Sequence, residues 1–178
     1  MRRVSVSLAL LLAGAIPAAG PAAAQAPRQI AEFGAWTAFA YEQKGAQVCY
    51  VASRATSEKG GPKGREGGRE GGREAFVLVT HRPADKAWGE VSIVPGYVYR
   101  KDDEPTARIG SDSFTLFAKE DSAWARDEDD PRLVEAMKRG TEMVVTGTPS
   151  RGSESTDSFS LIGFTKAYEA IDRACRRR

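Results

Sequence analysis

The sequence predicts a mainly β fold, a sandwich or barrel-like arrangement of short antiparallel strands with two short helices, the second of them C-terminal. Two observations support this fold class. Short runs rich in β-branched and aromatic residues recur along the chain, with turn residues between them, and only two segments have the apolar periodicity of a helix. Many short strands at regular spacing are typical of sandwiches and barrels.

The chain begins with the pattern of a cleavable secretory signal peptide. The basic residues Arg2 and Arg3 precede an apolar run over residues 4–19. This run is shorter than the roughly 20 apolar residues that a membrane-spanning helix needs. Small residues at Ala22 and Ala24 then predict cleavage after Ala24, so that residues 1–24 are removed on export.

The mature chain, residues 25–178, has the length of one domain. Removal of Arg2 and Arg3 lowers the 26 basic residues to 24, which equals the 24 acidic residues. A nucleic-acid-binding domain usually has a marked basic excess, so this balance argues against that class of protein. No later segment is apolar enough to span a membrane, and we expect a periplasmic or secreted location.

Nine runs of the mature chain are predicted as strands, after a loose leader at residues 25–31. The predicted strands are residues 35–41, 48–52, 75–80, 88–94, 97–99, 107–109, 113–117, 143–147 and 158–162. Gly110, Ser111 and Asp112 separate the sixth and seventh runs and predict a hairpin.

A low-complexity segment at residues 57–74 separates the second and third predicted strands. It contains two G-R-E-G units and a third, incomplete unit, G-R-E, from Gly64 to Glu74. Glycine has little backbone preference, and alternating Arg and Glu side chains stay solvated, so we expect a flexible loop.

The first predicted helix opens at Asp129-Asp130-Pro131, where an aspartate can cap the free N–H groups. Its apolar face consists of Leu133, Ala136 and Met137. Glu135 and Arg139 are predicted partners at i,i+4, and Gly140 is predicted to end the helix.

The second predicted helix spans about Thr165–Cys175. Its apolar positions are Phe164, Ala167, Tyr168, Ile171 and Ala174. Its last turn carries Cys175, and the other cysteine, Cys49, lies in a predicted strand. Two cysteines in an exported chain suggest one disulfide, which would attach this helix to the sheet. Two free thiols or an intermolecular bond are the alternatives.

An ordered set of short motifs runs through the mature domain. Its members are Phe33-Gly34-Ala35-Trp36, Val48-Cys49-Tyr50, His81-Arg82-Pro83, Ala123-Trp124-Ala125, the segments 133–140 and 143–147, Ser150-Arg151-Gly152, and the segments 157–164 and 167–175. This set resembles the invasion-associated locus B family. The resemblance implies an envelope or periplasmic β-sandwich without an established biochemical activity, and a possible link to host-cell invasion. Many members have an extra cysteine where this chain has Ala38, Phe39 and Ala40, so Cys49 and Cys175 are the only intramolecular pair.

His81, the only histidine, is one candidate for chemistry. With Asp157 and one of Ser150, Ser158 or Ser160 it can be written as a hydrolase triad. No G-x-S-x-G motif is present, so we expect a strand-end histidine without a catalytic role. An envelope hydrolase that uses His81 is the alternative function.

The acidic run at residues 127–130 is a candidate calcium site. It lacks the alternating ligands, central glycine and final glutamate of an EF-hand loop. Helix capping explains these acids better, and no metal or cofactor is predicted.

Ser150, Arg151 and Asp157 form the most distinctive polar group, because they flank the loop between two predicted strands. Arg151 and Asp157 are expected to pair across this hairpin; alternatively, the three residues form an interaction surface. We therefore predict a non-catalytic binding or interaction role, with an envelope or host component as partner and no particular oligomeric state.

Overall fold

The computed structural model of the protein describes residues 26–62 and 73–176. The predicted signal peptide and its cleavage after Ala24 lie outside these residues, and so does most of the G-R-E-G segment. Within the described part of the chain, no helix is long and apolar enough to cross a membrane.

The described residues form twelve strands and two α-helices. The strands are β1 (Arg28–Phe33), β2 (Trp36–Gln43), β3 (Ala46–Arg54), β4 (Ser57–Gly60), β5 (Phe76–Arg82), β6 (Ala87–Val94), β7 (Thr106–Ile109), β8 (Asp112–Thr115), β9 (Phe117–Lys119), β10 (Ser122–Trp124), β11 (Glu142–Gly147) and β12 (Ser155–Ser160). The helices are α1 (Asp130–Arg139) and α2 (Phe164–Arg176), and a short 3₁₀ turn covers Pro83–Asp85.

The strands form two antiparallel sheets. The larger sheet has the order β1-β2-β3-β5-β6-β10-β9, and the smaller has the order β4-β12-β11-β7-β8. In neither sheet does the last strand pair with the first, so the described strands form open sheets and not a closed barrel. The mainly β prediction, with two helices of which the second is C-terminal, is confirmed.

The core lies between the sheets and beneath the helices. Alternate residues of β2 point inward, where Trp36, Ala38 and Ala40 are buried. The Trp36 indole N–H donates to the Ser160 carbonyl at 2.9 Å, which joins the larger sheet to the smaller one. Helix α2 packs on β1, β2, β3 and β5, whereas α1 packs on β6.

Several short strands differ from the prediction. β1 replaces the predicted leader, β4 lies within the predicted loop, and β9 and β10 had no predicted counterpart. Conversely, the predicted strand at residues 97–99 contains only an isolated bridge from Tyr99 to Pro149. β1, β4 and β9 are the outer strands of their sheets. An edge strand pairs on one side only, so its side chains need little apolar patterning.

The ends of α1 also differ from the prediction. Asp129 precedes the helix without a side-chain capping bond, and its carboxylate contacts Arg132 at 3.3 Å instead. Gly140 does end α1, but with extended backbone (φ −82°, ψ 167°) and not the left-handed conformation. Glycine is needed there because a Cβ atom would lie 2.4 Å from the Ile109 side chain.

The ion pair predicted between Glu135 and Arg139 was wrong. Glu135 accepts a hydrogen bond from Lys138 at 2.7 Å, one residue earlier on the helix. Arg139 points towards Asp112 in the β7–β8 hairpin, at 3.8 Å. Both pairs are on the surface, where such contacts contribute little to stability.

Candidate functional site

Strands β5 and β6 run side by side, and a cluster of interacting side chains lies near each of their two ends. At the usual rise per residue, the two clusters are about 20 Å apart. The helix end consists of Cys49, His81, Trp88, Asp172 and Cys175. The loop end consists of Arg73, Pro95, Tyr97, Ser155 and Asp157.

At the helix end, Cys49 and Cys175 form a disulfide, which confirms the predicted pairing. Their Cα atoms are 6.0 Å apart, a usual separation for this bond. Both cysteines are buried. The bond attaches the last turn of α2 to β3, in the middle of the larger sheet.

His81 lies opposite Cys49 on the neighbouring strand and is fully buried. Its Nδ1 accepts a hydrogen bond from the Gly89 N–H at 2.9 Å, so the neutral ring carries its hydrogen on Nε2. Nε2 lies 3.1 Å from Oδ1 of Asp172 on α2. Burial lowers the pKa of His81, and the nearby Asp172 carboxylate opposes part of this shift.

The residues of the alternative hydrolase triad do not lie together. His81 faces Asp172, whereas Asp157 lies at the loop end in an ion pair with Arg73. Ser150 is exposed in the β11–β12 loop. Among the described residues, His81 has no hydrogen bond to a serine. His81 and Asp157 therefore do not form the triad that was considered as the alternative.

At the loop end, Arg73 and Asp157 form a buried ion pair. Nη2 of Arg73 lies 2.6 Å from Oδ1 and Nη1 lies 3.3 Å from Oδ2, so the contact is bidentate. Nη1 also donates to the Pro95 carbonyl at 3.2 Å, and the guanidinium covers the Tyr97 ring. Each charged side chain is only 2% exposed. Burial raises the pKa of Asp157, and the bonds from Arg73 oppose this shift.

Further buried polar contacts extend this cluster into the adjoining loops. The Tyr97 hydroxyl is 2.5 Å from the Ser155 hydroxyl, which in turn donates to the Gly147 carbonyl at 3.3 Å. The buried Asp103 accepts the Thr148 N–H at 2.8 Å. The loop end therefore fixes the connection after β6 and the β11–β12 loop against one another.

These contacts support an exposed surface, here called the loop surface, formed by residues 95–103 and 148–154. Main-chain bonds join its two segments, from Ser150 N–H to the Val98 carbonyl at 2.9 Å and from Arg100 N–H to the Thr148 carbonyl at 2.8 Å. Its exposed side chains are those of Val98, Arg100, Lys101, Asp102, Ser150, Arg151, Ser153 and Glu154.

The structure thus separates the three residues of the predicted interaction surface. Ser150 and Arg151 are exposed on the loop surface, but Asp157 is 1% exposed and belongs to the interior. The described residues contain no ion pair between Arg151 and Asp157, so that predicted pairing was wrong. The true partner, Arg73, was predicted to be solvated because it belongs to the third, incomplete repeat unit, Gly72-Arg73-Glu74.

The acidic residues at positions 127–130 also differ in their burial. Asp130 is buried and accepts the Val91 N–H at 2.9 Å, while Asp127 and Glu128 are exposed. Within the part of the chain that the structure describes, no group of three or more His, Cys, Asp or Glu residues is placed to hold a metal ion.

Comparisons with known proteins agree with this architecture. The crystal structure of invasion associated protein B from Bartonella henselae superimposes with a TM-score of 0.57, covering 85% of this chain and 98% of that one. The two sequences are 14% identical, so the likeness shows the fold alone. No curated protein matches the sequence. The model of the invasion associated locus B (IalB) protein family matches residues 36–172, which is more than half of the chain. The protein therefore belongs to the invasion associated locus B family.

Proposed function

We propose that the protein is exported and has a non-catalytic binding role, with the loop surface as the contact face. The observation that carries this proposal is the buried ion pair between Arg73 and Asp157. Removing two charges from water is costly, and apolar residues of similar size would give equal or greater stability. This pair instead fixes the backbone beneath two exposed loops. Loops held by a rigid scaffold commonly carry binding sites.

The side chains of the loop surface fit this role. Val98 is 53% exposed, although it is a large apolar residue, and Arg100 and Arg151 are exposed in the adjoining segments. Arginine is enriched at protein interfaces, and an apolar centre with a polar rim is their usual anatomy. The proposed partner is an envelope component or, in view of the name of the Bartonella protein, a host component.

Site-specific photocrosslinking in living cells tests the contact face. A photoreactive residue at Val98 should give a discrete adduct of higher mass. Ile162 is a matched control, because it is 59% exposed and follows β12 at the end away from Ser155. Identical adducts from both positions, or none from Val98, would contradict the proposal.

Export is tested separately. The small residues Ala22 and Ala24 lead us to expect a mature N-terminus at Gln25. Mass spectrometry of the protein from envelope and medium fractions measures this terminus. Protein that retains Met1 in these fractions would show that the leader is not cleaved.

A further inference from the structure

Strand β6 has a β-bulge at the helix end. Thr80 lies opposite Glu90 and His81 lies opposite Trp88, so Gly89 is the extra residue. The Gly89 N–H is bound by Nδ1 of His81, as described above. Two residues later, the Val91 N–H is bound by Oδ1 of Asp130 at 2.9 Å. Two titratable side chains therefore bind the main chain of β6 at alternate residues.

Each anchor also connects β6 to a helix. Asp130 is the first residue of α1, and His81 faces Asp172 of α2 at 3.1 Å. The other groups of α2 and β6 that face His81 are Trp88, Tyr168 and Arg176. The charged groups near Asp130 are Glu90 on β6 together with Asp127 and Asp129, which precede α1, and Tyr168 of α2 is also near.

Protonation affects the hydrogen bonds of the two anchors in opposite ways. Nδ1 of His81 can accept the Gly89 N–H only while it is unprotonated, so a proton on this atom breaks the bond. A protonated Asp130 still has a carbonyl oxygen that can accept the Val91 N–H. Protonation also removes a negative charge that is buried beside three other acids.

We propose that His81 and Asp130 are opposed proton-linked anchors of strand β6: acid breaks the bond between His81 and the Gly89 N–H, whereas the bond between Asp130 and the Val91 N–H survives protonation.

The effect of His81 follows from its burial. Its pKa is lowered from the usual 6.5 in the folded protein, so the unfolded chain takes up a proton first. Stability is therefore lost as the pH falls below 6.5.

The effect of Asp130 has the opposite sign. Burial and the neighbouring acids raise its pKa from 3.8 to about 6, so the folded protein takes up this proton first. Stability is therefore gained as the pH falls through about 6 and is lost again as the pH rises. Between about pH 7 and about pH 5 the unfolding equilibrium constant falls by about tenfold. The effects of His81 and Asp130 on stability therefore oppose each other.

Unfolding by urea at several pH values tests the effect of Asp130. Asp130→Asn keeps an oxygen acceptor for the Val91 N–H but cannot titrate. Between about pH 7 and about pH 5, its unfolding constant should rise about tenfold more than that of the wild type. The exposed neighbour provides a control, because Glu128→Gln should follow the wild type. Equal pH dependence of Asp130→Asn and the wild type would overturn the inference.

Nitrogen NMR of the imidazole tests the other anchor without any substitution. His81 is the only histidine of the chain, so its signals need no assignment. In the folded protein we expect the ring to carry its hydrogen on Nε2 while it is neutral, and to titrate below its usual pKa of 6.5. A ring that titrates near 6.5 in the folded state would overturn the inference.

Discussion

At the helix end, strand β5 lies beside a disulfide and a group of packed rings. At the loop end, it lies near a buried ion pair. The helix-end contacts are covalent or largely neutral, and the His81 ring touches both Trp88 and Tyr168, so several contacts remain when one is lost. At the loop end, Arg73 and Asp157 depend on each other. Loss of either would leave the other as an unpaired buried charge. The two ends should therefore differ in how they respond to single and double substitutions.

The largest expected effect is at the loop end. Asp157→Ala should lower the free energy of unfolding by about 3–5 kcal/mol, because it leaves the Arg73 charge buried without its partner. The double variant Arg73→Met with Asp157→Leu removes both charges and should recover most of this loss. Urea denaturation measures both. If the double variant is as unstable as the single one, the mutual dependence described here does not exist.

The helix end should behave differently. Cys49→Ser should cost about 2–5 kcal/mol, the usual effect of losing a native disulfide in a small exported domain. Cys175→Ser should match it, and the double variant should be no worse, because each change deletes the same bond. A thiol assay on the unfolded, unreduced protein is a direct check, since two free thiols per chain would exclude the disulfide.

A smaller loss of stability is expected when a hydrogen bond of the loop end is removed and its charges are kept. Tyr97→Phe removes the bond to Ser155 and should cost about 1 kcal/mol. Tyr99→Phe is the matched control, because the buried Tyr99 hydroxyl makes no hydrogen bond within the described residues. Its removal should cost less than that of the Tyr97 hydroxyl. Equal thermal stability of the two variants would show that the bond to Ser155 contributes nothing.

The smallest effect is expected for the repeat segment. Replacement of residues 63–72 by a short Gly-Ser turn should change the free energy of unfolding by less than about 1 kcal/mol, because loop closure depends weakly on length. Extending the replacement to Arg73 should add the full loss expected from breaking the ion pair. A large loss from the shorter replacement would mean that the segment packs on the domain.

The elements that the sequence predicts well are those with a buried face. Strands β2, β5 and β11 combine β-branched or aromatic residues with inward alternation, and α2 has apolar residues at helical spacing, so their burial is visible in the pattern. The edge strand β4 has no buried residue and consists of Ser, Glu, Lys and Gly, which is typical of loops. Its extended structure comes from pairing with β12. Because β12 is distant in the sequence, the residues of β4 alone do not indicate this pairing.

The polar clusters were harder to predict, because their partners are far apart in sequence. Arg73 and Asp157 are 84 positions apart, and Arg73 ends a repeat whose composition indicates solvation. Asp172 lies among the polar residues of an amphipathic helix, and nothing local distinguishes it from a solvated acid. The disulfide was predictable because only two cysteines are present, and two cysteines allow a single intramolecular pair.

The disulfide also restricts the order of events during synthesis. Cys49 and Cys175 are 126 positions apart, and β4 to β12 all lie between them. At about 5–20 residues per second, a ribosome reaches Cys175 roughly 6–25 s after Cys49. Any pairing of the N-terminal strands β1–β3 during this interval therefore takes place without their covalent attachment to α2. A chain that stops before Cys175 keeps a reactive thiol at Cys49, which chemically distinguishes it from a finished molecule.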